Sequence, residues 1–360
     1  MGSGPYRLVV RSIGAAGIGL VRSLRRVLPF SEAEVAALLL QAPSTLLTGL
    51  DRAKAEALAG FLTENGLDCA ALDGDAAVED GIGDHELALT VVDPARLAAV
   101  VLEVVRLLGV DVQTARGLVC GAPAVLLGGV SLATVDALRA RFEPLGATLD
   151  ASHAASARFD VYLGECPAPL RDRALARLAA FGETGDGAVL GLDHSTAARA
   201  FAALRALDVP ARVINRDFAR YDVRLQAATD TPALRAHLEE RARMPAAVIP
   251  KVLARLPVVI HGGLRHAETM AALAELAAAG AHATAEPIAF QRFALTLGEV
   301  REPRALVPLL CAIGGLEEAA AVGALHRRPA RVPGPLTPTQ ARWLQHDLRR
   351  AGVEARLELL

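Results

Sequence analysis

The chain has 360 residues, 52% of them hydrophobic and 22% charged, which is the composition of a globular protein rather than a disordered one. At about 150 residues per domain, this length predicts two to three domains. The 38 lysine and arginine residues nearly balance 40 aspartate and glutamate residues, giving a formal net charge of -2. This balance argues against a protein that holds nucleic acid or an anionic membrane through a strong positive field.

Cysteine usage and the first residues predict a cytoplasmic protein. The four cysteines, Cys69, Cys120, Cys166 and Cys311, form no C-x-x-C pair and are typical of small buried side chains in a reducing compartment. The N-terminus has no basic segment followed by an apolar one, so we predict no signal peptide. The longest uncharged stretch, 117–135, contains glycines and a proline and is a poor membrane-spanning helix.

A recurring turn is the strongest pattern in the chain. A glycine, or a proline in the last case, precedes Leu or Val and a helix-starting residue at positions 49, 129, 191, 263 and 335. Residues expected to end a helix stand at positions 66, 146, 208, 280 and 352. Both sets step by 80, 62, 72 and 72 residues. This shared irregular spacing predicts five tandem copies of a unit of about 72 residues.

The elements of copies one and two follow in chain order. Copy one opens with an alternating strand from Tyr6, and Ser31 with Glu34 reads as a capping box for its second helix. A short strand over 44–48 then leads to a third helix starting at Asp51, and an acidic, glycine-rich linker over 73–84 follows. In copy two, Asp93 and the following proline predict the start of a helix. Its apolar stripe comprises Leu97, Val100, Val101, Val104, Val105 and Leu108.

The later copies complete the predicted architecture. Copy three has only a turn-rich string over 182–187 where its second helix would be, and in copy five Thr337 with Pro338 predicts a helix start. Each unit therefore reads β-α-α-β-α-β, a two-layer α/β sandwich with three strands and helices on one face. The predicted boundaries are 1–72, 85–150, 158–214, 220–286 and 291–360.

Copy two carries a resemblance. It reads 101–110 as VLEVVRLLGV and 115–119 as ARGLV, followed by Ala122-Pro123 and Gly129-Val130. This order resembles the C-terminal domain of the bacterial large-subunit ribosomal stalk protein, and the Clp protease adaptor family is similar in fold. The resemblance extends over the chain as five diverged copies. It implies that basic residues on the first two helices recruit translation factors, although the N-terminal dimerisation region and hinge of the stalk family are absent.

Three arginines match the basic positions of that family and are the predicted protein-binding residues. Arg106 and Arg116 lie on the first and second helices of copy two, and Arg26 is the copy-one equivalent of Arg106. Glu103 and Gln113 stand where the family carries lysines. Because Arg106 falls between positions of the apolar stripe, we expect it and Arg116 to share one outer face.

Other chemistry-bearing patterns have simpler interpretations. The glycine-rich loop over 14–19 lacks the spacing of a dinucleotide or phosphate-binding motif. His261 and His266 flank a recurring turn and lack the further ligands that a zinc site needs. Asp193 in the run Asp-His-Ser is expected to cap a helix rather than to join a catalytic triad. Trp343, the single tryptophan, is expected to pack in a core or between copies.

These observations leave three hypotheses. The first is a non-catalytic scaffold or adaptor that binds other proteins, with no enzyme activity, no cofactor or metal, and no nucleic-acid or membrane partner. Its oligomeric state stays open, with a monomer among the options. The second is a translation-linked factor that contacts ribosomal GTPases. The third is an enzyme that uses a cleft between copies, around the truncated third copy.

Overall fold

The computed structural model describes residues 4–26, 28–185, 187–327 and 329–360. The chain divides into two compact units, which we call unit 1 (Met1–Ala155 with Phe293–Leu360) and unit 2 (Ser156–Arg292). The described residues form five separate sheets, so the predicted mixed α/β class is confirmed. We call the chain segment around each sheet a module and number the modules 1 to 5 in chain order. The number of copies and the five domain boundaries stay predictions.

Modules 1 and 2 follow the predicted element order. Module 1 comprises β1 (Tyr6–Ser12), α1 (Ile18–Arg25), α2 (Glu32–Leu40), β2 (Ser44–Leu50), α3 (Arg52–Glu64) and β3 (Asp68–Asp73). Module 2 comprises β4 (His85–Val91), α4 (Leu97–Leu108), α5 (Val112–Val119), β5 (Ala124–Val130), α6 (Leu132–Phe142) and β6 (Ala147–His153). A short 3-10 turn, Pro94–Arg96, precedes α4, and Asp93 caps it by accepting the backbone N–H of Ala95.

Among the remaining modules, module 3 differs in one element. Module 3 comprises β7 (Phe159–Leu163), α7 (Ala168–Leu178), β8 (Thr184–Gly185), β9 (Ala188–Leu192), α8 (His194–Arg205) and β10 (Ala211–Asn215). Module 4 comprises β11 (Arg220–Ala228), α9 (Pro232–Glu240), α10 (Ile249–Leu253), β12 (Val258–Arg265), α11 (His266–Ala278) and β13 (Ala281–Pro287). Module 5 comprises β14 (Phe293–Leu297), α12 (Pro303–Ala312), α13 (Glu318–His326), β15 (Ala330–Leu336), α14 (Pro338–Arg350) and β16 (Ala355–Leu359). In module 3 the two-residue strand β8 pairs with β9 where the other modules have a second helix.

The first strand of each module lies at the centre of its sheet. The orders are β2-β1-β3, β5-β4-β6, β10-β7-β9-β8, β12-β11-β13 and β15-β14-β16, and these strand pairs are antiparallel. The prediction of a short strand ending before each recurring glycine is wrong, because the second strand continues through that glycine. Tyr6 pairs with Leu50 and Leu8 with Leu47, so an advance of two residues along β1 is matched by an advance of three residues along β2. The recurring glycine lies in this bulge, and Gly49 has φ 72°.

Module 5 shows why the glycine seemed to be replaced by proline. Phe293 pairs with Leu336 and Leu295 with Val332, so an advance of two residues along β14 is matched by an advance of four residues along β15. The larger bulge places the left-handed residue one position earlier, at Gly334, where φ is 82°. Pro335 follows it and does not have to adopt a positive φ, which proline cannot reach.

The predicted helix ends are confirmed by the local geometry. The N-cap side chains of four third helices each accept the backbone N–H three residues ahead: Asp51, Ser131, Asp193 and Thr337. The residues that follow all five third helices, α11 included, are left-handed, with φ between 57° and 89°: Gly66, Gly146, Asp208, Gly280 and Gly352. Ala42–Pro43, Ala122–Pro123 and Leu256–Pro257 are cis peptide bonds at corresponding positions.

One continuous core joins modules 1, 2 and 5, while modules 3 and 4 each have a core of their own. In α4, Leu107 is buried and Val105 and Leu108 are only half-buried, so the predicted stripe is shifted by one residue at its end.

All four cysteines are free thiols. Burial raises the pKa of Cys120 to about 12, which keeps this thiol protonated. Among the described helices, none combines the length and apolar character needed to cross a membrane.

Candidate functional site

Three arginines at the end of α1 line a cleft. Val21 and Leu24 bury one side of this helix in the core, which turns Arg22, Arg25 and Arg26 outward. Positions three and four apart lie on the same side of a helix, so the three guanidinium groups converge. The sequence predicted Arg26 as a protein-binding residue from its equivalence with Arg106. In the sequence, Arg25 is interpreted only as a solvated arginine near a helix end, and Arg22 is not singled out.

We call this feature the arginine cleft. Arg22, Arg25, Arg26 and Glu32 line a cavity of about 510 Å³. Glu32 is the single carboxylate in the lining, and its oxygens lie 3.8 Å from Arg22 Nε and 3.8 Å from Arg25 Nη1. Such long, exposed ion pairs contribute little, so the cleft keeps a net positive charge that is open to solvent. It can therefore attract an anionic group.

Arg106 lies on the surface, as predicted. Its side chain is 75% exposed, and its Nη1 lies 3.5 Å from a carboxylate oxygen of Glu103. Glu103 also accepts hydrogen bonds from Arg141, which ties α4 to α6. A Cβ added at Gly17 would lie 2.2 Å from the Arg106 carbonyl oxygen, so the backbone of α4 packs tightly against the start of α1.

Arg26 and Arg106 lie near opposite ends of α1. Arg106 lies beside Gly17, the N-cap of α1, whereas Arg26 is the C-cap of that helix. Nine residues at 1.5 Å each separate these ends by about 13 Å. The two predicted positions are therefore separate surface features.

Arg116 does not share an exposed outer face with Arg106, and that expectation is wrong. Its Nη1 donates to the carbonyl oxygen of Ala312 at 3.3 Å and to Gln113 Oε1 at 3.4 Å. Its Nε is buried without a hydrogen-bond partner among the described residues. The cause is tertiary, because module 5 packs against α5 and covers the side that an isolated copy would expose to water.

The two predicted histidines have different partners. His261 Nε2 lies 3.0 Å from Nε2 of His237, and Nδ1 of His237 lies 3.1 Å from a carboxylate oxygen of Glu275. Burial lowers the pKa of His261, the nearby His237 lowers it further, and Glu275 partly opposes the shift. His266 instead packs its ring against Tyr221, with centroids 5.8 Å apart. The pattern could not point to His237, because that residue is distant in sequence.

A second buried polar cluster lies in module 3. The carboxylate of Asp160 accepts the backbone N–H of Gly191 and the Nε–H of Arg216, both at 2.7 Å. Burial and the charge of Asp160 raise the pKa of Tyr162. Because Gly191 is the bulge glycine of this module, the cluster holds the strand in shape.

The other singled-out residues have structural roles. The carboxylate of Asp193 accepts hydrogen bonds from Ser195 Oγ and from the backbone N–H of Thr196, and these bonds lower its pKa. Trp343 is buried, and its indole N–H donates to Asp347 at 3.1 Å. Gly17, in the glycine-rich loop, caps α1.

Among the described residues, the cleft of the truncated third module is lined by no catalytic group. A cleft of about 440 Å³ between α7 and α8 is lined by Arg173, Ala176, Arg177, Ala203, Ala206 and Leu207. This lining contains no nucleophile and no group that titrates near neutral pH. Within the described ranges, no three His, Cys, Asp or Glu side chains are grouped as a metal ion would need.

Comparison with known proteins adds no assignment, since no protein-family model, curated protein or solved structure matches the chain.

Proposed function

We propose that the protein is a non-catalytic scaffold or adaptor that binds other proteins, and that the arginine cleft receives an acidic segment of a partner. The observation that carries this proposal is the convergence of Arg22, Arg25 and Arg26 around a cavity of about 510 Å³ with one weakly paired carboxylate. The chain as a whole is slightly acidic, so this local positive charge arises from the placement of the side chains.

The geometry also fits recognition of carboxylates. Each guanidinium presents a planar fork of N–H donors that matches a carboxylate with two parallel hydrogen bonds. The cleft lies on the ends of two helices that are fixed by the core through Val21, Leu24, Val35 and Leu39. A partner would therefore meet a preformed surface, which reduces the ordering cost of binding.

Capture of partners from a lysate of the source organism, followed by mass spectrometry, tests this proposal. Replacing Arg22, Arg25 and Arg26 together by alanine should weaken capture of the specific partner by about fivefold to 150-fold, corresponding to about 1–3 kcal/mol. The matched control replaces Arg349 and Arg350, two exposed arginines at the end of α14, and should leave capture unchanged. Raising the salt from about 0.05 M to about 0.5 M should weaken binding as well.

The thermal stability of the triple variant decides how a loss is interpreted. Exposed side chains of this kind change stability by less than about 0.5 kcal/mol, so the melting temperature should stay near that of the parent protein. Undiminished capture by the triple variant would show that the cleft is not the binding surface.

A translation-linked role is the second candidate, favoured by the exposure of Arg106 at the position where the resemblance implies a factor-binding residue. If that role holds, the chain should bind a purified ribosomal GTPase. Arg106→Ala should then weaken the binding more than the triple substitution in the arginine cleft does. Absence of binding to the GTPase at high micromolar concentration would remove this candidate.

A further inference from the structure

The third helix of module 2 packs against module 1 through several hydrogen bonds, and its N-cap Ser131 also donates its hydroxyl to the carbonyl oxygen of Ala42. The backbone N–H of Ser131 donates to the carbonyl oxygen of Leu40 at 3.0 Å, at the end of α2. Farther along α6, Arg141 Nη1 donates to the carbonyl oxygen of Ala16 at 2.6 Å, in the turn before α1. The N-cap of one module thus meets the end of the preceding module's second helix.

Module 5 packs against module 2 in the same manner. Thr337 Oγ1 donates to the carbonyl oxygen of Cys120 at 2.9 Å, at the end of α5. The helix α14 also packs against the Pro94–Arg96 turn that precedes α4. The contact of Arg116 with Ala312 extends this interface.

These two interfaces use corresponding residues, with the backbone N–H of Ser131 as donor in one and the side-chain hydroxyl of Thr337 as donor in the other. Ser131 and Thr337 are both N-caps of third helices, and Leu40 and Cys120 both stand three residues before the proline of the recurring pattern. In both interfaces the third helix also contacts the turn before the first helix of the other module. The chain therefore uses one mode of packing twice within unit 1.

Module 1 begins this series. Gly4 packs against the N-cap Asp51 of its third helix, and beyond this N-cap no described residue covers the corresponding face of the helix. On the exposed side of α3, Ala53, Ala57, Gly60 and Phe61 form a stripe of small apolar residues and one aromatic ring, and exposed charged residues of the same helix flank this stripe. The Phe61 side chain is 57% exposed. The corresponding residue in module 2 is Arg141, whose side chain is only 12% exposed because it contacts Glu103 of its own module and Ala16 of module 1.

Module 5 ends the series, and the corresponding face of its second helix is open as well. The exposed residues of α13 include Ala319, Ala320, Val322, Gly323 and His326. Val322 is among the large exposed apolar side chains of the protein, and a Cβ added at Gly323 would meet no heavy atom within 4 Å. Arg301 and Glu302, in the turn before α12, are exposed too.

We propose that α3 of one chain packs against the α13 end of module 5 of a second chain, so that the protein associates head to tail. The occupant is a second copy because each chain presents both halves of an interface that it already forms twice internally. Small side chains at the open faces let helices approach closely, and Phe61 would leave water on contact. An interface between two different surfaces generates rings or open chains rather than a symmetric dimer.

Sedimentation of the full chain from about 1 µM to about 200 µM tests this proposal, because contacts of moderate affinity dissociate in that range. The parent protein should show a mass that increases with concentration. Phe61→Asp and Val322→Asp should each weaken association by at least about tenfold. Met270→Asp is the matched control, since Met270 is 55% exposed on α11 and lies outside both faces.

A mixture of the two variants provides the decisive measurement. Phe61→Asp keeps a functional module 5 face, and Val322→Asp keeps a functional α3 face, so the mixture should associate at least about tenfold more tightly than either variant alone. Circular dichroism should show that both variants keep the parent fold. A parent protein that stays monomeric throughout, or association that both variants retain, would overturn the proposal, as would mixed variants that fail to pair.

Discussion

Two glycine-to-alanine substitutions in module 2 should change the free energy of unfolding in opposite directions. Gly129 has φ 70° in the β5 bulge, and a Cβ there would find its nearest neighbour 4.0 Å away, at the Gly83 carbonyl oxygen. Space is available, so the cost of Gly129→Ala is the left-handed conformation itself, about 1–2 kcal/mol. Gly117 is an exposed residue inside α5 with no heavy atom within 4 Å of an added Cβ. Gly117→Ala should stabilise the protein by about 0.5–1 kcal/mol, because alanine favours a helix.

Tryptophan fluorescence during urea denaturation measures both changes in the free energy of unfolding of unit 1. Trp343 is the single tryptophan and belongs to the core shared by modules 1, 2 and 5. The two variants should differ by about 1.5–3 kcal/mol at unchanged m-value. Gly129→Asn should lie between Gly129→Ala and the parent, since asparagine tolerates the left-handed region better than alanine does. If Gly129→Ala proves as stable as the parent protein, the bulge does not require a positive φ, and the explanation for the recurring glycine fails.

Two further predictions concern unit 2. Asp160→Asn should lower the free energy of unfolding of unit 2 by about 3 kcal/mol, because Asp160 is 2% exposed and its loss of charge leaves Arg216 without a buried charged partner. Circular dichroism during urea denaturation measures this change, and a value below about 0.5 kcal/mol would contradict the prediction. The pKa of His261 is lowered in the folded state, so the unfolded state takes up a proton first as the pH falls through about 6.5. The melting temperature should therefore decrease on acidification through this range, and less so in His261→Gln; equal pH dependence in both proteins would refute the assignment.

The sequence predicted those features that depend on a few neighbouring residues. Asp208 stands where the other modules have a glycine, and it adopts the predicted left-handed conformation with φ 57°. Thr337 followed by Pro338 begins a helix, and Ser31 with Glu34 forms the predicted capping box. Each of these is fixed by backbone sterics or by hydrogen bonds within one turn, so a local pattern is enough to identify it.

Features that depend on packing between modules could not be predicted. The helical pattern correctly marks Arg116 as outside the apolar stripe of α5, yet module 5 covers it. His237 and His261 come from different elements of module 4, and no local spacing connects them. Arg22 and Arg25 are ordinary helix-end arginines in sequence, and only the cleft shared with Glu32 distinguishes them.

The contrast between α3, α6 and α14 shows why position within the series determines what a module can bind. All three helices begin at a capped residue after a bulged strand and end at a left-handed glycine. The N-cap residue of α6 bonds to module 1, and the N-cap residue of α14 bonds to module 2, although modules 3 and 4 lie between modules 2 and 5 in the sequence. In α3 the same face carries exposed Phe61 instead. Equivalent elements therefore serve as internal packing surfaces or as free surfaces according to their neighbours, so residues should be assigned to binding only after contacts between modules are known.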